Sequence, residues 1–177
     1  MKRFLLYAAL LLLTQCSSCK KDDPAPEDQL PPATQTGANT FGCLVNGQLW
    51  TPAGNNGSSN YTVSYDGGLG GTFDLTTYRY QKSVASSYQR ISLFATRLFG
   101  TKAYNLKDSI NTDAGFNNRL TGCELSSRQP NTYSKGTLTI TRLDLNAGII
   151  SGTFEFTLAK PGCDTVRVTQ GRFDKRL

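Results

Sequence analysis

The chain of 177 residues contains no histidine, a single methionine and a single tryptophan. Without an imidazole, serine or cysteine catalysis with a histidine base is excluded, as are zinc and copper sites that need a His ligand and any histidine switch near neutral pH. Charge is also sparse, at 18% of residues with a net +6. No apolar run reaches the about 20 residues that a membrane-spanning helix requires. No helical hydrophobic period persists for three turns, and the length suits one ordinary domain.

What is present begins with an export signal. Met1–Arg3 is a short basic start, Phe4–Thr14 is an uncharged run rich in Leu and Ala, and Gln15, Cys16, Ser17 and Ser18 follow. Residues 1–18 therefore read as a cleaved signal peptide. Cys19 comes after two serines, the small side chains a signal peptidase needs before its cut, whereas a cut before Cys16 would place bulky Gln15 there. Cys19 is the preferred lipidation position and Cys16 the competitor. The run Cys16-Ser17-Ser18-Cys19-Lys20-Lys21-Asp22-Asp23 resembles the lipobox and surface-export signal of Bacteroidota lipoproteins, departing from it at Cys16, where an aliphatic residue is usual. The resemblance implies a diacylglycerol thioether on Cys19, an outer-membrane location and, through the Lys-Asp-Asp cluster, display at the cell surface. Several acyl chains, at about 0.8 kcal/mol per buried methylene, make such attachment effectively permanent.

Residues 19–40 carry Pro24, Pro26, Pro31 and Pro32 and only Leu30 as a large aliphatic. Such a segment buries too little to offset its ordering entropy, so it is expected to be a disordered tether that lets the domain stand clear of the lipid headgroups.

Residues 41–177 alternate with a period of two. Tyr61, Val63 and Tyr65 alternate with Thr62 and Ser64, Phe73 and Leu75 with Thr72, Asp74 and Thr76, and Leu138 and Ile140 with Thr137, Thr139 and Thr141. Phe154, Phe156 and Leu158 continue the pattern. Each run puts one side on a core and the other in water. Turn chemistry falls between the runs, as at Asn46-Gly47, Asp66-Gly67-Gly68, Asn146-Ala147-Gly148 and Pro161-Gly162. The expectation is an all-β domain of about eight or nine antiparallel strands, a sandwich or a closed barrel. Val166 and Val168 share a parity that Phe173 does not, which predicts a bulge near Gln170-Gly171. Residues 107–134 look least regular and read as a long excursion.

The segments Asn39–Trp50, Gly136–Asp144, Ile150–Phe156 and Thr169–Asp174 resemble a family of Bacteroidota lipoproteins classed as a domain of unknown function. The resemblance implies a β-rich extracytoplasmic domain on a lipid anchor and carries no catalytic or binding residues with it.

Candidate chemistry is thin. Cys43 alternates in phase with Phe41 and Val45 and reads as a buried hydrophobe. Cys123 and Cys163 sit in turn-like polar settings and are paired here as a disulfide, with all three thiols reduced, or Cys43 as one partner, as the alternatives. Asp144, Asn146, Gly148 and Glu155 imitate a calcium loop, but Ile149 stands where that loop needs Gly, and a turn with Asp144 bonding its own backbone is the simpler reading. No metal and no cofactor are expected. Asp108-Ser109-Ile110 and Asp164-Thr165-Val166 resemble the Bacteroidota O-glycosylation pattern.

The aromatics are the best binding lead: Trp50, Tyr61, Tyr65, Tyr78, Tyr80 and Tyr88 lie near Gly- and Asn-rich turns, where a ring with a polar tip stacks on a sugar or anchors a partner, or else fills the core. The domain's cations are scattered, so nucleic acid is not an expected partner. The expectation is a lipid-anchored, non-enzymatic module for glycan or protein, with a lipocalin-like barrel for a small apolar ligand and a His-free acid-pair hydrolase as alternatives.

Overall fold

The computed structural model describes residues 24–80, 87–107 and 110–177. Cys16 and Cys19, with the signal peptide, lie outside the described residues, as do Asp108 and Ser109.

Eleven strands appear among the described residues: β1 (Thr40–Val45), β2 (Gln48–Trp50), β3 (Tyr61–Asp66), β4 (Thr72–Tyr80), β5 (Tyr88–Ala95), β6 (Ala103–Asn105), β7 (Thr112–Asn118), β8 (Cys123–Ser126), β9 (Tyr133–Asp144), β10 (Ile149–Ala159) and β11 (Val166–Arg176). They form two antiparallel sheets, six-stranded β2-β1-β11-β10-β9-β6 and five-stranded β3-β4-β5-β7-β8, packed as a sandwich. The barrel alternative fails because β2, β6, β3 and β8 remain edges and the two sheets do not join. A lipocalin-like function, which needs a closed wall around a cavity, loses its scaffold with it.

The count exceeds the expected eight or nine for a physical reason. β2, β6 and β8 are only three or four residues long, too short to display alternation, and short edge strands are how sheets avoid pairing with neighbours. Residues 107–134 are not an excursion: they supply β7 and β8, half of whose pattern is polar.

The core is the set of inward residues that alternation marks. Phe73, Leu75, Ile91, Leu93, Leu138 and Ile140 are all 1% exposed or less. Phe73 meets Phe173 between the sheets at 5.7 Å, and Phe41 stacks on Phe154 at 5.4 Å. The bulge in β11 is present: Phe154 pairs with Gly171 but Phe156 with Val168, and on the other side Gly42 pairs with Arg172 but Leu44 with Thr169. Gln170 takes a left-handed φ of 52° to accommodate the extra residue. The shift in parity turns Phe173 inward, and therefore turns Asp174 outward.

The tether expectation needs correcting from Pro24 onward. Pro26–Gln29 forms a 3-10 turn beside β2, and Leu30 is buried. Pro31 lies over Gly42 so closely that a Cβ there would sit 2.5 Å from its Cδ. Composition understated this segment because its tertiary contacts are with distant parts of the chain: Leu30 and Pro31 lie on Gly42, and residues 34–38 bond Asp174.

Candidate binding cleft

Asp174 anchors the N-terminal strap. It is 1% exposed, on the outer side of β11, beneath residues 34–38. Its Oδ2 accepts from Thr34 Oγ1 at 2.7 Å, Thr36 N at 2.9 Å and Ala38 N at 3.1 Å, and its Oδ1 from Gly37 N at 2.8 Å and Ser151 Oγ at 2.7 Å. Burial pushes the carboxyl pKa up, but the bonds from Thr34, Ala38, Ser151 and Thr36 outweigh it and hold the group well below the usual carboxylate range. Every lone pair of this buried charge is occupied, which is the arrangement of a structural clamp.

Arg79 shows the opposite arrangement. β4 carries Phe73, Leu75, Thr77 and Arg79 at the same inward parity, so the guanidinium, half-buried, enters the gap between the sheets. Its Nε donates to Gln89 Oε1 at 2.9 Å and its Nη1 to Leu49 O at 2.9 Å. It lies over the Trp50 ring at 5.3 Å, and Trp50 Nε1 donates to the same Gln89 oxygen at 3.1 Å. No carboxylate meets it among the described residues, and burial lowers its pKa. A guanidinium offers five N–H donors, and only two of these find acceptors among the described residues.

Arg79 lines a cleft of about 230 Å³ at the open end of the sandwich. Asn46, Gln48, Gln89, Asn118 and Thr121 supply polar walls, Phe116, Leu125 and Val166 an apolar floor, and Asp164 one carboxylate. Cys123 and Cys163 are joined as a disulfide with Cα atoms 5.8 Å apart, linking β8 of one sheet to the β10–β11 connection of the other beside this cleft. Cys43 is free and fully buried, and burial pushes its thiol pKa far up, so it is an inert core group.

The sequence-derived aromatics divide. Trp50 is completely buried, as the platform under Arg79. Tyr61 is 6% exposed, with Lys175 Nζ over its ring at 4.8 Å. Tyr65 is half-buried and its hydroxyl donates to Leu98 O at 2.9 Å. Tyr78 is 4% exposed, and its hydroxyl bonds Asn56 Oδ1 and Ser58 O, each at 2.7 Å, pinning the loop between β2 and β3. Tyr80 and Tyr88 are half-buried and join Tyr78 in a three-ring cluster, with Arg119 over Tyr88 at 4.8 Å. Trp50, Tyr61 and Tyr78 thus present no open ring face to a ligand, leaving Tyr65, Tyr80 and Tyr88 as the half-buried rings of the six.

The pseudo-calcium stretch is the β9–β10 turn. Asp144 Oδ1 accepts from Ala147 N at 2.9 Å and its Oδ2 pairs with Arg142 at 2.8 Å. Thr165 of the second O-glycosylation-like pattern lies at the foot of β11, where its carbonyl accepts from Asn46 Nδ2 at 3.1 Å.

Sequence reading missed both charged residues. For Arg79 a signal exists, a cation continuing the inward parity of Phe73 and Leu75. For Asp174 there is none, because the strap covering it is 138 residues away in the chain.

No curated protein and no solved structure matches the chain. One family model does, over residues 83–175, from just before β5 to the end of β11 but short of β1–β4. That match spans more than half of the sequence, and the chain belongs to the family described as a domain of unknown function, DUF6252.

Proposed function

We propose that the protein is a lipid-anchored, extracytoplasmic, non-enzymatic module, held at the outer membrane through Cys19 and displaying the Arg79 cleft to a glycan or protein ligand. The observation that carries the binding half is Arg79 itself: a half-buried guanidinium between two sheets, with no salt-bridged carboxylate among the described residues, returns little stability for the hydration it gives up. Its open donors and the polar walls around it suit a ligand that brings an acceptor.

The anchoring half is supported by the basic start, the apolar run and the small residues before Cys19. The docked strap changes its geometry. Only four residues separate Cys19 from Pro24, five Cα steps with a reach of at most about 18 Å, so the domain rests close to the headgroups instead of standing clear of them.

Two measurements test the two halves. Mass spectrometry of the membrane-extracted protein is expected to find Cys19 as an acylated N-terminus, and an intact leader with an unmodified thiol would overturn the anchor. A thermal-shift panel of glycans and peptides on the same material is expected to raise the melting temperature with at least one ligand, because binding to the native state stabilises it by mass action. Flat curves throughout would overturn the binding role.

A further inference from the structure

We infer that the Arg79 cleft takes a single carboxylate-bearing sugar, a uronic acid residue, with the carboxylate on the Arg79 fork. This rests on the binding role proposed above and specifies its ligand.

Size sets the first limit. About 230 Å³ lies below the roughly 300–1,000 Å³ of sites that take drug-sized molecules, and suits one monosaccharide.

Charge sets the second. With Nε tied to Gln89 and Nη1 to Leu49 O, the donors that have no acceptor among the described residues are the two on Nη2 and one on Nη1, the two terminal nitrogens of the guanidinium. That fork matches the two oxygens of a carboxylate. Asp164 lines the same cleft, so one cation faces one anion, and a phosphate dianion is opposed where a monoanion is accepted.

The walls set the third. Asn46, Gln48, Asn118 and Thr121 offer amide and hydroxyl groups of both polarities, which complement ring hydroxyls better than an apolar acid. Asn46 is held in place, accepting from Arg167 N at 2.8 Å, so part of that wall is preorganised.

Trp50 is the single tryptophan of the chain and lies 5.3 Å under the guanidinium, so it reports occupancy of the fork directly. The full chain in detergent is titrated with glucuronate, galacturonate, glucose, glucose 6-phosphate and acetate, following Trp50 fluorescence and melting temperature. The expected result is saturable fluorescence change with a uronate. Glucose and acetate should need at least tenfold higher concentration, and glucose 6-phosphate should bind more weakly than the uronate.

Arg79→Met is expected to weaken the uronate at least tenfold. Arg79→Lys, which keeps the charge and loses the fork, should fall between the two. Asp164→Asn should strengthen it severalfold, and this last variant leaves the sheet interface untouched should Arg79→Met fold poorly.

Equal response to glucose, preference for the phosphate, or unchanged affinity in both Arg79 variants would overturn the carboxylate assignment. So would silence towards every probe. Where the glycan and peptide panel still yields a ligand, the binding role survives that failure, and where the panel is also flat, both fall.

Discussion

Asp174, on the outer side of β11, and Arg79, between the two sheets, are charged groups drawn from water to different degrees, the first fully buried and the second half-buried. Asp174 is enclosed by the N-terminal strap and accepts from Thr34, Thr36, Gly37, Ala38 and Ser151. Arg79 has two acceptors among the described residues, no carboxylate, and a cleft beside it. The difference teaches how to read a charge drawn into a fold. A fully satisfied one organises the fold, and its loss breaks contacts already made. An under-satisfied one contributes little to the fold, and its remaining capacity is available to something that arrives.

The largest effect should fall on the clamp. Asp174→Ala strands three backbone N–H groups and three hydroxyls, and is expected to cost about 3–5 kcal/mol in denaturant unfolding. It should also expose residues 30–40 to proteolysis. A loss under about 1 kcal/mol would erase the contrast with Arg79.

Next is the disulfide, which ties the two sheets beside the cleft. Cys123→Ser with Cys163→Ser should cost about 2–4 kcal/mol and weaken ligand binding as the cleft wall loosens. Unchanged stability would mean that the β7–β8 hairpin is held by packing alone.

Gly42→Ala sharpens the strap's part of the comparison. A methyl 2.5 Å from Pro31 Cδ must displace it, for about 1–3 kcal/mol, and hydrogen exchange should rise at Gly37 and Ala38 while the Arg79 end stays protected.

Acid separates the two charges by sign. A carboxyl whose folded pKa is depressed contributes stability that is complete above the unfolded carboxyl value near 4 and is lost as pH falls through the folded one. The stability gap between the native chain and Asp174→Asn should therefore be widest above about pH 5 and shrink below about pH 4. Arg79→Met should show no such convergence, since its guanidinium stays charged across that range. A gap independent of pH would mean that the clamp does not depend on the ionised form.

Arg79→Met should be the smallest, within about 1 kcal/mol of the native chain in either direction, because an apolar side chain of similar length avoids the desolvation cost. Its consequence belongs in ligand titration, and a large loss of stability would recast Arg79 as a plug between the sheets.

Local pattern carried much of the architecture. Phe73 with Leu75 and Leu138 with Ile140 face the core as their alternation requires, and the parity break between Val168 and Phe173 located the bulge from side-chain spacing alone. The short strands escaped because three residues hold less than two periods of alternation. The strap escaped because its order depends on a carboxylate that no local window contains. Among the aromatics, composition named the residues but not their exposure: Trp50 and Tyr80 look alike in sequence, and only one retains an accessible ring.

By itself the sequence determined an all-β domain, the inward and outward assignment along each long strand, the turns, and the absence of imidazole chemistry. These are consequences of nearest-neighbour geometry, where a period of two and a glycine at positive φ suffice. Tertiary structure alone decided that two open sheets form in place of a barrel, that residues 30–40 lie on the domain, and that Asp174 is saturated while Arg79 is not. Hydrogen-bond saturation and desolvation are set for Asp174 mostly by strap groups more than a hundred residues away in the chain, and for Arg79 by Leu49 of the facing sheet together with Gln89 of its own, so they exist only once the chain has packed.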